Sequence, residues 1–210
     1  MQLKIKLLIG AVAAIALIAV LAVIMNNHDS NSSMSANSAD MTFVNQMIPH
    51  HQSAIAMAKI AQKRAEHPQL KTLAGEIIAA QEAEIATLES VKSEIDSGGH
   101  EGMDMGSEHT GMSSKQMGMD GDVTSLETAK PFDKAFIAMM IAHHEGAVLM
   151  AREELANGEL PELKTLAANI VKSQSAEIAE MRAWQKQWYG DAATTEDSSM
   201  PMEDHSAMGN

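Results

Sequence analysis

Residues 43–88 and 136–181 are two versions of one sequence, related without a gap by an offset of 93 and identical at 21 of 46 positions. "FVNQMIPHHQSAIAMAK" (43–59) aligns with "FIAMMIAHHEGAVLMAR" (136–152), and "HPQLKTLAGEIIAAQEAEIATL" (67–88) with "LPELKTLAANIVKSQSAEIAEM" (160–181). An internal repeat this regular limits the fold, because one supersecondary unit must be built twice and the two copies must bury each other's apolar faces. In the first segment apolar residues fall at 44, 47, 48, 54, 55 and 58, with His51 on the same stripe. That is the three- and four-residue spacing of an amphipathic helix. The second carries Leu70, Leu73, Ile77, Leu88 and Val91 on one stripe, with Gln81 and Glu84 at its middle. Pro68 and Pro161 stand where each second helix begins, a first-turn position that proline tolerates. Each unit therefore predicts an antiparallel helical hairpin, 40–95 and 132–190, and two hairpins predict an all-α four-helix bundle. Three Phe, two Trp and one Tyr are too few aromatic residues to dominate a β-sandwich core.

Three segments lie outside the hairpins. Leu7 to Met25 is an uncharged apolar run preceded by Lys4 and Lys6. As a helix it rises roughly 28 Å, close to the thickness of a bilayer's hydrocarbon core. The expectation is an uncleaved signal anchor over 1–27, lysines inside, with the rest of the chain periplasmic or otherwise extracytoplasmic on the inner membrane. A cleaved signal and a secreted form are the alternative. Residues 28–39 read as a polar linker, and 96–131 as a Met/His-rich flexible linker without apolar period. Residues 191–210 read as a disordered tail that repeats the Met/His theme. Beyond the anchor, 13 basic residues face 28 acidic ones. Such a balance repels nucleic acid and attracts cations.

The four histidines of "MIPHH" and "MIAHH" sit in the pattern Met-x-x-His-His-x5-Met in both copies: Met47, His50, His51, Met57, and Met140, His143, His144, Met150. Adjacent helical residues point about 100° apart, so neither doublet chelates one ion as a pair. Met47 with His51, and Met140 with His144, share a face at i,i+4, and Met47 with His50 at i,i+3 competes. The remaining ligands must come from a second helix, a loop, a second copy of the chain or a copper-handling partner protein. Thioethers are soft donors that suit Cu(I), and by analogy Ag(I), but not Ca or Mg. The chain has 18 Met and no Cys, so it offers soft sulfur donors that need no deprotonation. Gln81/Glu84 and Gln174/Glu177 are either a register-fixing polar layer or groups that accept a histidine N–H and orient the ring. The residues thus predict a non-enzymatic copper buffer or carrier. Two readings compete with it: a ferritin-like di-iron oxidase, which needs core carboxylates from all four helices, and a Met-rich oxidant scavenger.

"MIPHHQSAIAMA" and "MIAHHEGAVLMA" resemble the hallmark "M-I-x-H-H-x-x-A-x-x-M-A" of the domain of unknown function 305 family over most of 40–188. That resemblance implies a ferritin-like helical fold and metal binding by the eight Met and His residues of the doubled motif. Pro49 stands opposite Ala142, and Ser53 opposite Gly146, so the resemblance does not imply two sites of equal affinity.

Overall fold

A computed structural model describes residues 36–97 and 112–190; the apolar run 7–25, residues 28–35 of the linker expected over 28–39 and the 191–210 tail lie outside them, while the end of that linker, Asn37 to Ala39, caps and begins the first helix. Four long helices account for most of the described chain: α1 (Ser38–Arg64), α2 (Pro68–Ser97), α3 (Phe132–Asn157) and α4 (Pro161–Tyr189). Among the described residues a single 3₁₀ turn (Val123–Glu127) lies between the hairpins, and no strand occurs. The predicted all-helical bundle of duplicated hairpins is what forms. No described helix is long and apolar enough to cross a membrane.

α1 packs on α2, α3 packs on α4, and the hairpins meet along α1 and α3. Those two run antiparallel. Asn37, which caps α1, donates its side-chain amide to the carbonyl of Asn157 at the end of α3. At the other end, Asp133 in the first turn of α3 reaches the α1–α2 connection. α1 begins with a capping box, in which the Asn37 side chain accepts from the N–H groups of Ala39 and Asp40 and the Asp40 carboxylate accepts from Asn37 N–H at 2.7 Å. Pro161 opens α4 after Leu160, as expected from its missing N–H.

The ends of the bundle are fastened by a device that repeats at the same offset of 93. Asp40 accepts from the backbone N–H groups of Glu159 and Leu160, each at 3.0 Å, on the α3–α4 connection. Its counterpart Asp133 accepts from Glu66 and His67, each at 2.9 Å, on the α1–α2 connection. Each hairpin thus caps the turn of the other. Both aspartates are fully buried, which their carboxylates tolerate because backbone donors surround them. The ends differ in what stands beside each aspartate. Asp133 also accepts from His67 Nδ1 at 2.7 Å, and the His67 ring stacks on Trp188 at 3.7 Å. Asp40 instead faces Glu154, a second buried carboxyl whose oxygens reach no donor. Burial first, then sharing of its proton with Asp40 and repulsion by that carboxylate, push Glu154 up to about 8, against the opposing pull of Lys164.

The segment expected as a featureless linker over 96–131 departs from that picture at both ends. α2 runs on to Ser97. Residues 112–131 are laid against the bundle through a turn at 114–118 and the 3₁₀ turn. Single anchors hold them, which leave no periodic signal. Leu126 is fully buried, and the Arg64 guanidinium donates to the carbonyls of Leu126 and Ala129 while lying over the Phe132 ring. Residues 98–111, with His100, Met103, Met105 and His109, lie outside the described residues.

Candidate metal centre

Midway along the bundle the apolar core is interrupted. One apolar cluster joins the C-terminal half of α1 to the N-terminal halves of α2 and α3, and includes Met57 and Met140. The other joins the N-terminal half of α1 to the C-terminal half of α3 and includes Met47 and Met150. Between them lies a polar layer: His50 and His51 from α1, His143 and His144 from α3, Gln81 and Glu84 from α2, Gln174 and Glu177 from α4. The four imidazoles and the two carboxamides are all buried.

Helical register explains the arrangement. One member of each doublet lies on the α1–α3 seam and the other on the face turned to its own hairpin partner, as the 100° step requires. On the seam, His50 and His143 bring their ring centroids to 3.7 Å at an interplanar angle of 37°. Within each doublet the rings stand 6.3 and 6.4 Å apart, both tilted by 57°, so the two halves match closely. On the hairpin faces, His51 Nε2 meets Glu84 Oε2 at 2.7 Å, and His144 Nε2 meets Glu177 Oε2 at 2.6 Å. The His51 contact is as short but less well aligned.

All eight sequence-predicted residues are therefore buried at the centre of the bundle, and the structure unites them across copies. The four rings form one layer, Met47 shares a cluster with Met150, and Met57 shares one with Met140. Among the described residues no group of three or more His, Asp or Glu side chains is placed to hold an ion unaided. An ion held here must draw on sulfur or carboxamide donors as well.

The two seam rings, His50 and His143, are held neutral by their surroundings. Burial drives the His50 pKa down to about 3, helped by the neighbouring His51 and His144 and opposed by its bond to the Met117 carbonyl. Burial, with repulsion from His50, His144 and His51, holds His143 well below the usual histidine range. Neutral imidazoles keep a lone pair at any physiological pH, so a cation meets no proton competition from these two. Six of the eight ring nitrogens, with Gln81 Oε1 and both polar atoms of the Gln174 carboxamide, have no well-aligned partner in the protein. A buried polar atom left unpaired costs about 1–3 kcal/mol, so a layer this unsatisfied is unusual unless it serves a ligand.

One side of the layer is covered by residues that sequence reasoning placed in the linker. His50 Nε2 donates to the carbonyl of Met117 at 2.8 Å. Gly146 lets that chain approach, since a Cβ there would collide with the Met117 backbone. Gly118 has a φ of 66° and lies so close to Ala142 that a side chain would strike its carbonyl. Met112 and Met117 pack onto the cluster that holds Met47 and Met150. The visible signal was the replacement of Ser53 by Gly at 146 in the second copy. The buried aspartates were visible too, as the repeated D-x-x-F of 40–43 and 133–136.

The model of the domain of unknown function named DUF305 matches residues 40–185 and, in a second match, 161–210. The chain belongs to the DUF305 family. Among solved structures it is similar to CopM in its Cu(I)-bound form, at 39% identity and a TM-score of 0.60, over 72% of this chain and 98% of that one. CopM has also been solved in Cu(II)-bound and Ag-bound forms. A DUF305 fragment from Deinococcus radiodurans matches at 25% identity and a TM-score of 0.60, over 72% of this chain and 98% of that one. An uncharacterized protein, L153 of Acanthamoeba polyphaga mimivirus, is 42% identical over 55 residues, which span 26% of this chain and 36% of that protein. DUF305 family membership, expected from the doubled motif, is thereby shown.

Proposed function

We propose that this DUF305 protein binds Cu(I), and the similarly soft Ag(I), at the mid-bundle layer through the His50/His51 and His143/His144 doublets and the flanking methionines Met47, Met57, Met140 and Met150. The observation that carries the reading is the buried four-histidine layer with most of its nitrogens unpartnered, set between two methionine-bearing clusters. Its likeness to CopM, a protein solved with copper and with silver, supports the choice of metal. Thioether and neutral imidazole together suit a soft monovalent ion better than a hard divalent one. The role is buffering, resistance or hand-over of the ion, with no reaction catalysed. The apolar run 7–25 anchors the chain in the inner membrane and places the bundle outside the cytoplasm. Ion transfer to a copper-handling partner, or between copies of the chain, follows from that role.

The ferritin-like di-iron reading has less support, because α1 and α3 contribute histidines to the layer where such a site needs carboxylates from all four helices. The bundle is ferritin-like in its paired hairpins, not in its donor set. Competition titration of the protein with Cu(I), Cu(II), Zn(II) and Fe(II) tests the proposal. Cu(I) should bind most tightly, and the His50/His51/His143/His144→Ala variant should lose that binding while deletion of 191–210 leaves it. Millimolar Cu(I) affinity, or an unchanged affinity in the quadruple variant, refutes it. Iron binding with oxygen uptake would favour the di-iron oxidase.

A further inference from the structure

The two glutamates of the layer have a more specific task than filling a polar gap. We infer that Glu84 and Glu177 are positioning residues that hold His51 and His144 in the Nε2–H form, leaving Nδ1 of each ring as the atom that meets the metal. The inference rests on the copper reading above and adds which atom binds and what fixes it.

An ionised carboxylate only accepts hydrogen bonds, so a ring nitrogen 2.6–2.7 Å from it must carry the proton. Both contacts use Nε2, and both come from the second helix of the same hairpin, at positions related by the repeat. A neutral imidazole with its proton on Nε2 has its lone pair on Nδ1. In both rings Nδ1 is buried and has no partner in the protein. The seam ring obeys the same rule by another route. His50 Nε2 faces a carbonyl, which also only accepts, so its Nδ1 is again the lone-pair nitrogen, and it is again unpartnered. Two rings, His144 and His50, thus have one tautomer selected by an aligned acceptor on Nε2, and His51 has its carboxylate at 2.7 Å from the same atom but out of alignment. His143 has no aligned acceptor on either nitrogen.

Charge points the same way. Each hairpin brings one carboxylate to its own doublet, so each half of the layer can balance one monovalent cation. The Glu84 and Glu177 side chains are 15% and 14% exposed, which keeps part of their hydration while they hold the buried rings. Glutamine in their place keeps the shape but offers a donor as well as an acceptor, so it no longer dictates the tautomer.

The test uses the full chain in detergent micelles, ¹⁵N-labelled at histidine, with ring nitrogen shifts read from long-range proton–nitrogen correlation on the metal-free protein. His51 and His144 should be in the Nε2–H form in the wild type and mixed or inverted in Glu84→Gln/Glu177→Gln. The same variant should bind Cu(I) roughly ten- to a hundred-fold more weakly, the usual effect of removing a partner that orients a ligand, with its helical content unchanged. Nδ1–H rings in the wild type overturn the inference. So does a variant whose tautomers change while Cu(I) affinity stays the same, or one whose tautomers do not change. Failure of the wild type to bind Cu(I) at all would instead sink the copper reading, while the metal-free tautomers still report what the glutamates do.

Discussion

Replacing Glu154 by glutamine should change how stability depends on pH, and the size of the change follows from the carboxyl pair at the bundle end. Glu154 is 1% exposed and titrates at about 8 in the folded protein, against 4.5 for an ordinary glutamate. A carboxyl whose folded pKa is raised keeps its proton on folding but loses it on unfolding. Its contribution to stability is therefore fully present below pH 4.5 and declines as pH rises toward 8, at about 1.4 kcal/mol per unit. Between pH 5 and pH 8 the wild type should lose about 3.5 kcal/mol from this group alone. Glutamine cannot ionise, so it never sets a second negative charge beside Asp40. Urea unfolding of wild type and Glu154→Gln across pH 5–9 gives the two curves, and other titrating groups cancel in their difference. Glu76 and Glu180, both raised by burial, remain in both proteins. The difference should grow with pH in favour of the variant and flatten above pH 8. Parallel curves would show that Glu154 is ionised beside Asp40 throughout, and the argument for a shared proton would fail.

Asp133→Ala removes the acceptor for two backbone N–H groups and for His67, and Asp40→Ala the equivalent acceptor at the other end; each should cost roughly 2–4 kcal/mol by urea unfolding. Only the first should alter tryptophan emission, because only it frees the His67 ring stacked on Trp188. Gly146→Ala pushes a methyl group into the Met117 backbone, so it should lower stability by roughly 1–3 kcal/mol and speed protease cleavage within 112–122. Pro49→Ala should stabilise by roughly 1–3 kcal/mol in thermal unfolding, since Pro49 is exposed in mid-helix and its counterpart Ala142 keeps the N–H that proline lacks.

The helices were legible because the repeat and the apolar periodicity agree, and the buried stripe Leu70, Leu73, Ile77, Gln81, Leu88, Val91 is the one that spacing singles out. The burial of the eight motif residues was legible for the same reason. Their partnership across copies was not, since spacing along one helix compares only residues of that helix. It favoured Met47 with His51, whereas the antiparallel approach of α1 and α3 also sets Met47 in a cluster with Met150 and His50 against His143. The strap over His50 was hidden for another reason. Met117 acts through its backbone carbonyl, which any residue has, and its docking depends on a missing side chain at Gly146 and a left-handed backbone at Gly118.

The two copies differ where the structure makes them different and agree where the proposed chemistry lies. At the ends, Glu154 stands opposite Ala61, and His67 opposite Leu160, so one aspartate gains a carboxyl neighbour and the other an imidazole. On the flank, Gly146 opposite Ser53 admits the strap to one side, so His50 has a carbonyl on Nε2 and His143 does not. In the layer, His-His and Gln-x-x-Glu are the same in both halves, and the ring separations and histidine–glutamate distances nearly so. Packing alone does not require such agreement, since helical bundles accept hydrophobic exchanges of similar volume with little loss. A buried polar layer with unpaired nitrogens is the costliest part of this core to duplicate, and the copies agree on every one of its eight residues. That combination is expected of two half-centres of like chemistry, one of which has the Met117 carbonyl on its seam ring.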